Sequence, residues 1–315
     1  MAAPIRIELP TGLPVGTVNA YLLPGDEPVL VDTGLKSTAS LAALESGLTA
    51  HELTFADLAR VVVSHHHVDH FGLAATIAQR SAAEIWVFAR ARPWLEDFDG
   101  LLARRFNYYR DVLFAKLGLP PEASGPILDY MRAVDKAAAS VKDALLSMGG
   151  ADWQALHTPG HASTLTCFYQ PETHDFLSTD LLLPITPTPI IEQTDDDRAQ
   201  RASPLSQHLE SLARINALDI GRVFPGHGDP FDDHRGLIKR QRERIEARKL
   251  ECLELVRSGC RTAGELLPLM YAHYPERFRF AGLWMIVGYL DLLVAEGSLT
   301  MDEIDGVWTY RANRD

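Results

Sequence analysis

The most restrictive feature of this chain is a run of histidine and aspartate directly after an apolar Val-Val-Val segment. The run reads Ser-His-His-His-Val-Asp-His over residues 64–70. Alternate side chains of an extended segment share a side, so His65, His67 and Asp69 can converge, and a bend into a following helix brings His70 round. Imidazole and carboxylate without thiolate predict a site for zinc, iron or manganese.

Three later segments place single candidate ligands beside predicted strands. His157 and His161 flank a Thr-Pro-Gly turn, Asp180 follows a strand candidate that ends at Leu177, and His227 lies between two glycines after another strand candidate. Each signal is weak alone, because a turn histidine can be structural and an aspartate can cap a helix. Together they lie at strand ends, where α/β sheets gather the residues of their sites.

Alternating segments predict an α/β fold in the first ninety residues. Thr17–Leu23 and Val29–Val31 have the composition of strands joined by a tight turn. Ser40–Leu48 and Phe71–Gln79 have helical spacing, and Glu84–Phe88 is the next strand candidate. This alternation is typical of layered α/β proteins.

Helical spacing replaces the strand-like runs from about residue 90 to 150, which predicts a helical insertion that reaches past Leu145. A second strand-and-helix half then follows, and we place the boundary of this first domain at residues 1–233. Residues 234–315 are predicted to form a linker helix and a small unit of their own. Thr262 and Glu265 form a capping-box pair there, and three helices with a terminal hairpin outline a winged helix.

The order and spacing of the candidate ligands resemble the metallo-β-lactamase superfamily of metal-dependent hydrolases. Its signature is His-x-His-x-Asp-His, then a lone His, a bridging Asp and a final His, and the resemblance covers about residues 10–230. It implies an αβ/βα sandwich that holds two divalent metal ions, with zinc expected and iron or manganese as alternatives. The ligands it implies are His65, His67 and His161 for one ion, Asp69, His70 and His227 for the other, and Asp180 as the bridge.

The resemblance also implies roles for the neighbouring residues. Asp69 would be catalytic as well as a ligand, because it would orient the hydroxide that two cations generate from a shared water. Asp32 matches the early Asp-x-Gly turn of the family and would support the site, whereas His66 should point away from it. Asp180, in place of a cysteine, is similar to the branch that contains glyoxalase II and RNA-processing nucleases, so antibiotic hydrolysis is not expected.

Net charge and composition limit the classes of binding partner that we expect for this chain. The chain has 315 residues and a net charge of −12, which disfavours a general attraction to nucleic acid or an anionic membrane. Three cysteines are too few and odd in number for a disulfide framework. With no leader-like stretch between Met1 and Gly16 and no apolar run long enough to cross a membrane, we expect a cytoplasmic protein.

Two segments bear on the substrate. Arg104–Arg110 carries arginines and aromatics, which fits either a lid for an acyl thioester or, as we favour, an amphipathic helix with core aromatics. His234–Lys249 holds seven basic and two acidic residues, which could track phosphates. Residues 250–315, however, hold six basic and ten acidic residues, and the apolar stretch Phe280–Val287 favours packing against the catalytic domain or another subunit.

The tail resembles the winged-helix extension of a superfamily subgroup that includes a mitochondrial single-strand RNA endonuclease. The stretch from Asp180 to Pro187 also echoes that subgroup. The resulting hypothesis is a hydrolase of ester, thioester or lactone-type small molecules, with single-strand RNA cleavage as the alternative. Three other possibilities are left open. They are a DNA-binding or scaffolding protein with a vestigial site, an iron-dependent oxidative activity, and self-association through the tail.

Overall fold

The computed structural model describes residues 3–135, 144–145, 153–184, 203–275 and 279–313. Strands and helices alternate between Val29 and Val87, as the sequence predicts for this part of the chain. Within them, no helix is long and apolar enough to cross a membrane.

The first sheet has six strands that follow one another in chain order. They are β1 (Ile5–Leu13), β2 (Gly16–Leu23), β3 (Val29–Val31), β4 (Arg60–Val63), β5 (Glu84–Val87) and β6 (Ala144–Leu145). β1 to β3 pair antiparallel, and the pairs from β3 to β6 are parallel. The predicted turn between β2 and β3 is confirmed, since Tyr21 pairs with Val31 across it.

The second sheet has four strands, which are β7 (Gln154–His157), β8 (Thr166–Gln170), β9 (Asp175–Thr179) and β10 (Arg222–Pro225). Their order across the sheet is β10, β9, β8, β7. β9 and β10 are parallel and the other pairs are antiparallel. The inner faces of the two sheets meet in one apolar layer, where the Tyr21 and Phe224 rings pack edge to face at 5.7 Å.

Helices cover the outer face of each sheet, so the αβ/βα fold class is confirmed. α1 (Thr38–Thr49) and α3 (Ala74–Arg80) pack on the first sheet, and α8 (Pro204–Asn216) and the first turns of α9 (His234–Arg257) pack on the second. The N-terminus of α1 is capped by Ser37, whose side chain accepts a hydrogen bond from the Ser40 N–H.

The single helix predicted over Phe71–Gln79 is wrong in its bounds. The structure has a short α2 (Val68–Phe71), then Gly72 and Leu73, then α3. The carbonyl of His70 accepts hydrogen bonds from Thr33 N at 2.7 Å and Thr33 Oγ1 at 2.9 Å, so it is engaged outside the helix. This tie holds the histidine-bearing turn against the segment that directly follows β3.

The insertion contains four helices in its described part. They are α4 (Arg92–Glu96), α5 (Phe98–Tyr108), α6 (Phe114–Lys116) and α7 (Pro121–Asp135), with a π-helical turn over Tyr109–Leu113 between α5 and α6. The prediction of helix around Leu145 is wrong, because β6 pairs there with Ile85 and Trp86 of β5. A two-residue strand is too short to show the alternation of a strand. The residues predicted to be helical around Val141 lie outside the described residues.

The C-terminal part consists of α9, α10 (Ala263–Met270), α11 (Arg279–Ala295) and the hairpin of β11 (Leu299–Ile304) with β12 (Val307–Ala312). The Thr262–Glu265 capping box is confirmed at the start of α10. α9 is one unbroken helix of 24 residues. Three helices and a hairpin are therefore present, while the assignment as a winged helix stays a prediction.

The insertion and the C-terminal part share one apolar core, which we call the shared helical core. Its members include Phe106, Tyr109, Phe114, Trp284 and Leu290. The Phe114 and Trp284 rings stack with centroids 6.1 Å apart, and Tyr109 and Phe114 stack at 5.9 Å. The expectation that the insertion aromatics are core residues is confirmed.

Candidate metal centre

The predicted ligands converge because strands of both sheets end at one edge of the sandwich. The turn after β4 carries His65, His67, Asp69 and His70, and the other ligands follow β7, β9 and β10. We call the set the ligand cluster; it consists of His65, His67, Asp69, His70, His161, Asp180 and His227. The structure brings all seven side chains together in three overlapping groups, in each of which the ligand atoms lie within 4.8 Å of one another.

Three imidazoles form one side of the ligand cluster. His67 Nδ1 lies 3.0 Å from His65 Nε2 and 2.9 Å from His161 Nε2. These atoms belong to the group His65, His67 and His161, which is the ligand set that the family resemblance implies for one ion.

Asp180 lies between the two sides of the cluster. Its Oδ2 is 3.3 Å from His161 Nε2 and 3.5 Å from His227 Nε2, and its Oδ1 is 3.4 Å from His70 Nε2. On the far side, Asp69 Oδ2 lies 3.5 Å from His227 Nε2. Asp180 therefore has the position of a carboxylate that could bridge two ions.

The distances between the ligand atoms are compatible with bound cations. Tetrahedral zinc with bonds of about 2.0–2.1 Å holds its ligand atoms about 3.3 Å apart, close to the separations seen here. His70 Nε2 and Asp180 Oδ1 are also buried with no hydrogen-bond partner among the described residues. Buried polar atoms rarely stay unpartnered, so the donor set fits a metal that would satisfy them.

A hydrogen-bond network on the outer side of the cluster fixes the orientation of two imidazoles. Asp32 accepts hydrogen bonds from Ser64 N at 2.8 Å and Ser64 Oγ at 2.7 Å, and contacts His70 Nδ1 at 2.8 Å. Ser64 Oγ in turn lies 2.9 Å from His65 Nδ1. Such contacts at the outer nitrogens direct Nε2 of both rings inward, as in metal-binding histidines.

The backbone around the cluster is tightly constrained. A Cβ on Gly226 would collide with Asp180 Oδ1 and lie 3.0 Å from His70 Cε1, so the residue before His227 has to be glycine. The backbone N–H of Gly226 donates to Thr179 O at 2.8 Å, and His227 Nδ1 lies 2.6 Å from Thr17 O. These contacts place His227 opposite Asp180.

Burial and neighbouring charges shift the pKa values in opposite directions within the cluster. Burial lowers the pKa of His65 and His67, and the adjacent imidazoles lower it further. Burial also opposes the charge on His227, but Asp180 and Asp69 outweigh it and raise the pKa of His227 to about 10. The cluster therefore combines imidazoles held neutral with an imidazolium beside carboxylates, and a cation would compete with the protons of the latter.

His66 and His157 both lie outside the ligand groups, and for His66 this is the expected position. His66 points away from the cluster: its ring stacks on Trp94 with centroids 4.3 Å apart, and Nδ1 lies 2.7 Å from Thr164 Oγ1. His157 Nε2 bonds to the carbonyl of Ser163 at 2.8 Å. Each ring is held by contacts of its own.

Sequence reasoning missed two residues near the cluster. Ser64 links Asp32 to His65, and its place directly before the histidine run was the only signal available. His208, on α8, is fully buried and packs against the turn that carries His161. Nothing in the sequence marked His208, because its position depends on how α8 docks onto the second sheet.

Comparisons with known proteins agree with the fold. Residues 13–227 match the family model described as the metallo-beta-lactamase superfamily. A probable metallo-hydrolase of Bacillus subtilis, YqjP, is 28% identical over 94% of this chain and 93% of its own length. The atrochrysone carboxyl ACP thioesterase of Aspergillus fumigatus is 24% identical over 46% of this chain and 44% of its own.

A solved structure extends the likeness to nearly the whole chain. The metallo-beta-lactamase family protein TTHA1429 of Thermus thermophilus superposes with a TM-score of 0.81 at 25% identity. The match covers 98% of each chain, so it includes the helical insertion and the C-terminal part.

Proposed function

Because the chain belongs to the metallo-beta-lactamase superfamily, we propose that it is a dinuclear metal-dependent hydrolase of ester, thioester or lactone-type small molecules. The observation that carries this proposal is the convergence of five imidazoles and two carboxylates in three overlapping ligand groups. A likeness to a metallo-hydrolase over almost the whole chain supports the reaction type.

The proposed ligand sets follow the geometry of the cluster. One ion would be held by His65, His67 and His161, and the other by Asp69, His70 and His227. Asp180 would bridge them, since it faces imidazoles of both sets. Zinc suits these nitrogen and oxygen donors, as do iron and manganese.

Once bound, two such cations supply Lewis acidity that polarises the scissile carbonyl and lowers the pKa of a water from about 15.7 towards about 7. The residues of the chain would orient the attacking water. Asp69 is a carboxylate at neutral pH, because the attraction of His70 and His227 outweighs the effect of burial and lowers its pKa. It can therefore accept a hydrogen bond from the attacking water and hold that water in line with the carbonyl.

The proposed substrate class rests on the net charge of the chain and on the name of one similar protein. The thioesterase of Aspergillus fumigatus shows that a relative of this chain carries the name of an acyl hydrolase, although the match covers less than half of either protein. The net charge of −12 favours a small acyl substrate over a polyanion.

Single-strand RNA cleavage stays the alternative, and the contacts of the basic stretch on α9 weigh against it. Lys239 pairs with Glu243 at 3.8 Å and Arg240 with Asp233 at 3.5 Å, so part of its positive charge is neutralised within the chain. Leu283 and Val287 of α11 are buried, and this apolar stretch offers no surface to a phosphate backbone. These pairs lower the net positive charge that the stretch offers to RNA.

We also propose a cytoplasmic location, which the three free cysteines support because unpaired thiols persist in reducing compartments. Self-association through the C-terminal part stays a prediction.

The function is tested by coupling elemental analysis of the purified protein to a substrate panel. The panel contains acyl-coenzyme A thioesters, a lactone, 4-nitrophenyl esters, bis(4-nitrophenyl) phosphate and short single-stranded RNAs. We expect about two metal ions per chain and turnover of at least one acyl substrate, lost on chelation and restored by metal. Cleaved RNA with untouched acyl substrates would establish the alternative, and a metal-replete protein inert towards the whole panel would refute both.

A further inference from the structure

Asn19 is a polar residue buried in the middle of β2. It is 1% exposed, and its neighbours Val18 and Ala20 are buried apolar residues. Asparagine is depleted in strands, because its side chain fits a pleated, half-buried surface poorly. A buried amide also opposes folding unless it is hydrogen-bonded. The contacts of Asn19 therefore have to account for its presence in this strand.

The side-chain amide of Asn19 bonds to the backbone on both sides of His227. Nδ2 donates to the carbonyl of Pro225 at 2.9 Å and to the carbonyl of Gly228 at 2.7 Å. An amide nitrogen carries two hydrogens, so each carbonyl can accept one of them. The backbone N–H of Asn19 also donates to the carbonyl of Gly226 at 2.7 Å. One residue of the first sheet thus holds three carbonyls of the segment that carries His227.

Two other side chains contact the same carbonyls, and each holds one side of the segment. Tyr21 Oη donates to the carbonyl of Pro225 at 2.7 Å. Arg6 Nη1 donates to the carbonyl of Gly228 at 3.0 Å from a partly exposed position, where water competes for the bond. Asn19, in contrast, reaches both sides from a buried position, so its removal should loosen the segment most.

The position of this segment determines where the imidazole of His227 points. His227 Nδ1 lies 2.6 Å from the carbonyl oxygen of Thr17, two residues before Asn19 on β2. A carbonyl oxygen can only accept, so Nδ1 donates and Nε2 is the nitrogen left to bind a metal. His227 Nε2 lies 3.5 Å from both Asp180 Oδ2 and Asp69 Oδ2. A shift of the segment would therefore move Nε2 away from these carboxylates.

We propose that Asn19 is a positioning residue for His227, whose buried amide holds the backbone on both sides of this ligand and keeps Nε2 directed at the cluster. The inference rests on the function proposed above, in which Asp69, His70 and His227 hold the second of two ions. The ligands proposed for the first ion lie on the histidine run and the turn after β7, outside this segment. Loss of the Asn19 amide should therefore weaken the second ion selectively.

The test compares metal binding in the wild type and four variants. Asn19→Leu removes the amide and keeps a similar size, and Asn19→Asp keeps the shape but replaces the amino group with an oxygen. Tyr21→Phe removes one bond to the segment. Tyr169→Phe is the matched control, because Tyr169 Oη also donates to a backbone carbonyl, that of Asp219 at 2.8 Å, but before β10 rather than after it. Elemental analysis, stepwise competition with a chelator and melting temperature are measured for each.

We expect both Asn19 variants to bind the second ion about 10–100-fold more weakly and to keep the wild-type affinity for the first, as when a contact that supports a ligand is removed. The visible absorption that appears with the second equivalent of cobalt should change as well. Tyr21→Phe should lose less, because Asn19 still holds both sides, and Tyr169→Phe should bind both ions like the wild type.

Two outcomes of the binding measurements would overturn the proposal. One is wild-type affinity for the second ion in Asn19→Leu or Asn19→Asp. The other is an equal loss of affinity for both ions, which general loosening of the fold would cause. If Asn19→Leu does not fold, Asn19→Asp decides, since it keeps the shape of the side chain.

A second readout needs neither metal nor turnover. Crystal structures of metal-free wild type and Asn19→Asp compare the distance from His227 Nε2 to Asp180 Oδ2, which is 3.5 Å in the present structure. A displaced His227 in the variant supports the role of Asn19 even if the wild type hydrolyses nothing in the panel, in which case only the proposed function fails. An unmoved His227 would refute the role of Asn19 whatever the activity.

Discussion

The ligand cluster and the shared helical core are both buried. Burial of the cluster residues opposes folding, whereas burial of the core residues favours it. The cluster concentrates imidazoles and carboxylates, several with atoms that have no partner among the described residues. The helical core consists of rings and aliphatic side chains such as Tyr109, Phe114 and Trp284. Burying polar groups without partners costs free energy, whereas burying apolar surface yields it. Apolar packing away from the site therefore supports a site that is unfavourable without its cation.

The largest expected effect comes from removing a residue of the cluster. Asp180→Ala should lower hydrolysis at least about 1,000-fold and reduce the metal content, because loss of a direct ligand should exceed the 10–100-fold typical of its supporting contacts. His67→Ala should behave likewise. Metal analysis and kcat/KM check this, with His157→Gln as the control that retains both. Stoichiometric metal with full activity in either ligand variant would contradict the assignment.

Truncation in the shared helical core should affect stability and leave the metal site chemically intact. Trp284 is 2% exposed, so Trp284→Ala should lower the free energy of unfolding by about 3–5 kcal/mol. Urea denaturation measures this, and metal content per folded chain should stay at the wild-type value. Leu269→Ala is the control, since Leu269 is 56% exposed and should change stability by less than about 0.5 kcal/mol. Metal loss from folded Trp284→Ala would show that the two regions are coupled.

Ser64 tests how far the cluster depends on hydrogen bonds around it, because Ser64 supports the cluster without being a ligand. Ser64→Ala removes the link between Asp32 and His65 and should weaken metal binding about 10–100-fold while the fold persists. Ser64→Thr keeps the hydroxyl and should restore binding. Competition with a chelator of known affinity provides the measurement. Equal affinity in the alanine variant would mean that packing alone orients His65.

A further expected effect, confined to metal-free protein, is the pH dependence of stability. The folded-state pKa of His227 is raised from 6.5 to about 10, so its stabilising contribution is complete below pH 6.5 and is lost as pH rises towards 10. The melting temperature of chelated protein should therefore fall over that window. Metal-loaded protein should show the opposite trend, because ligands bind metal when deprotonated. Parallel curves for both forms would contradict a metal role for the cluster.

The sequence predicted the alternating strands and helices well where patterns were long. The α10 capping box and the β2–β3 turn are confirmed, whereas β1, β7 and the two-residue β6 were not predicted. The helix over Phe71–Gln79 was wrong because Thr33, distant in sequence, engages the carbonyl of His70. Local periodicity carries no information about such partners, and short edge strands carry too little periodicity to be recognised.

By itself, the sequence determined which residues could bind metal, because their chemistry and their positions after strands are local properties. Only the tertiary structure decided that the second sheet carries His161, Asp180 and His227 to within bonding range of the histidine run of the first. It also decided that the insertion aromatics pack on Trp284 and that His208 adjoins the site. The physical reason is that these contacts join segments far apart in the chain, whose meeting depends on how whole layers pack.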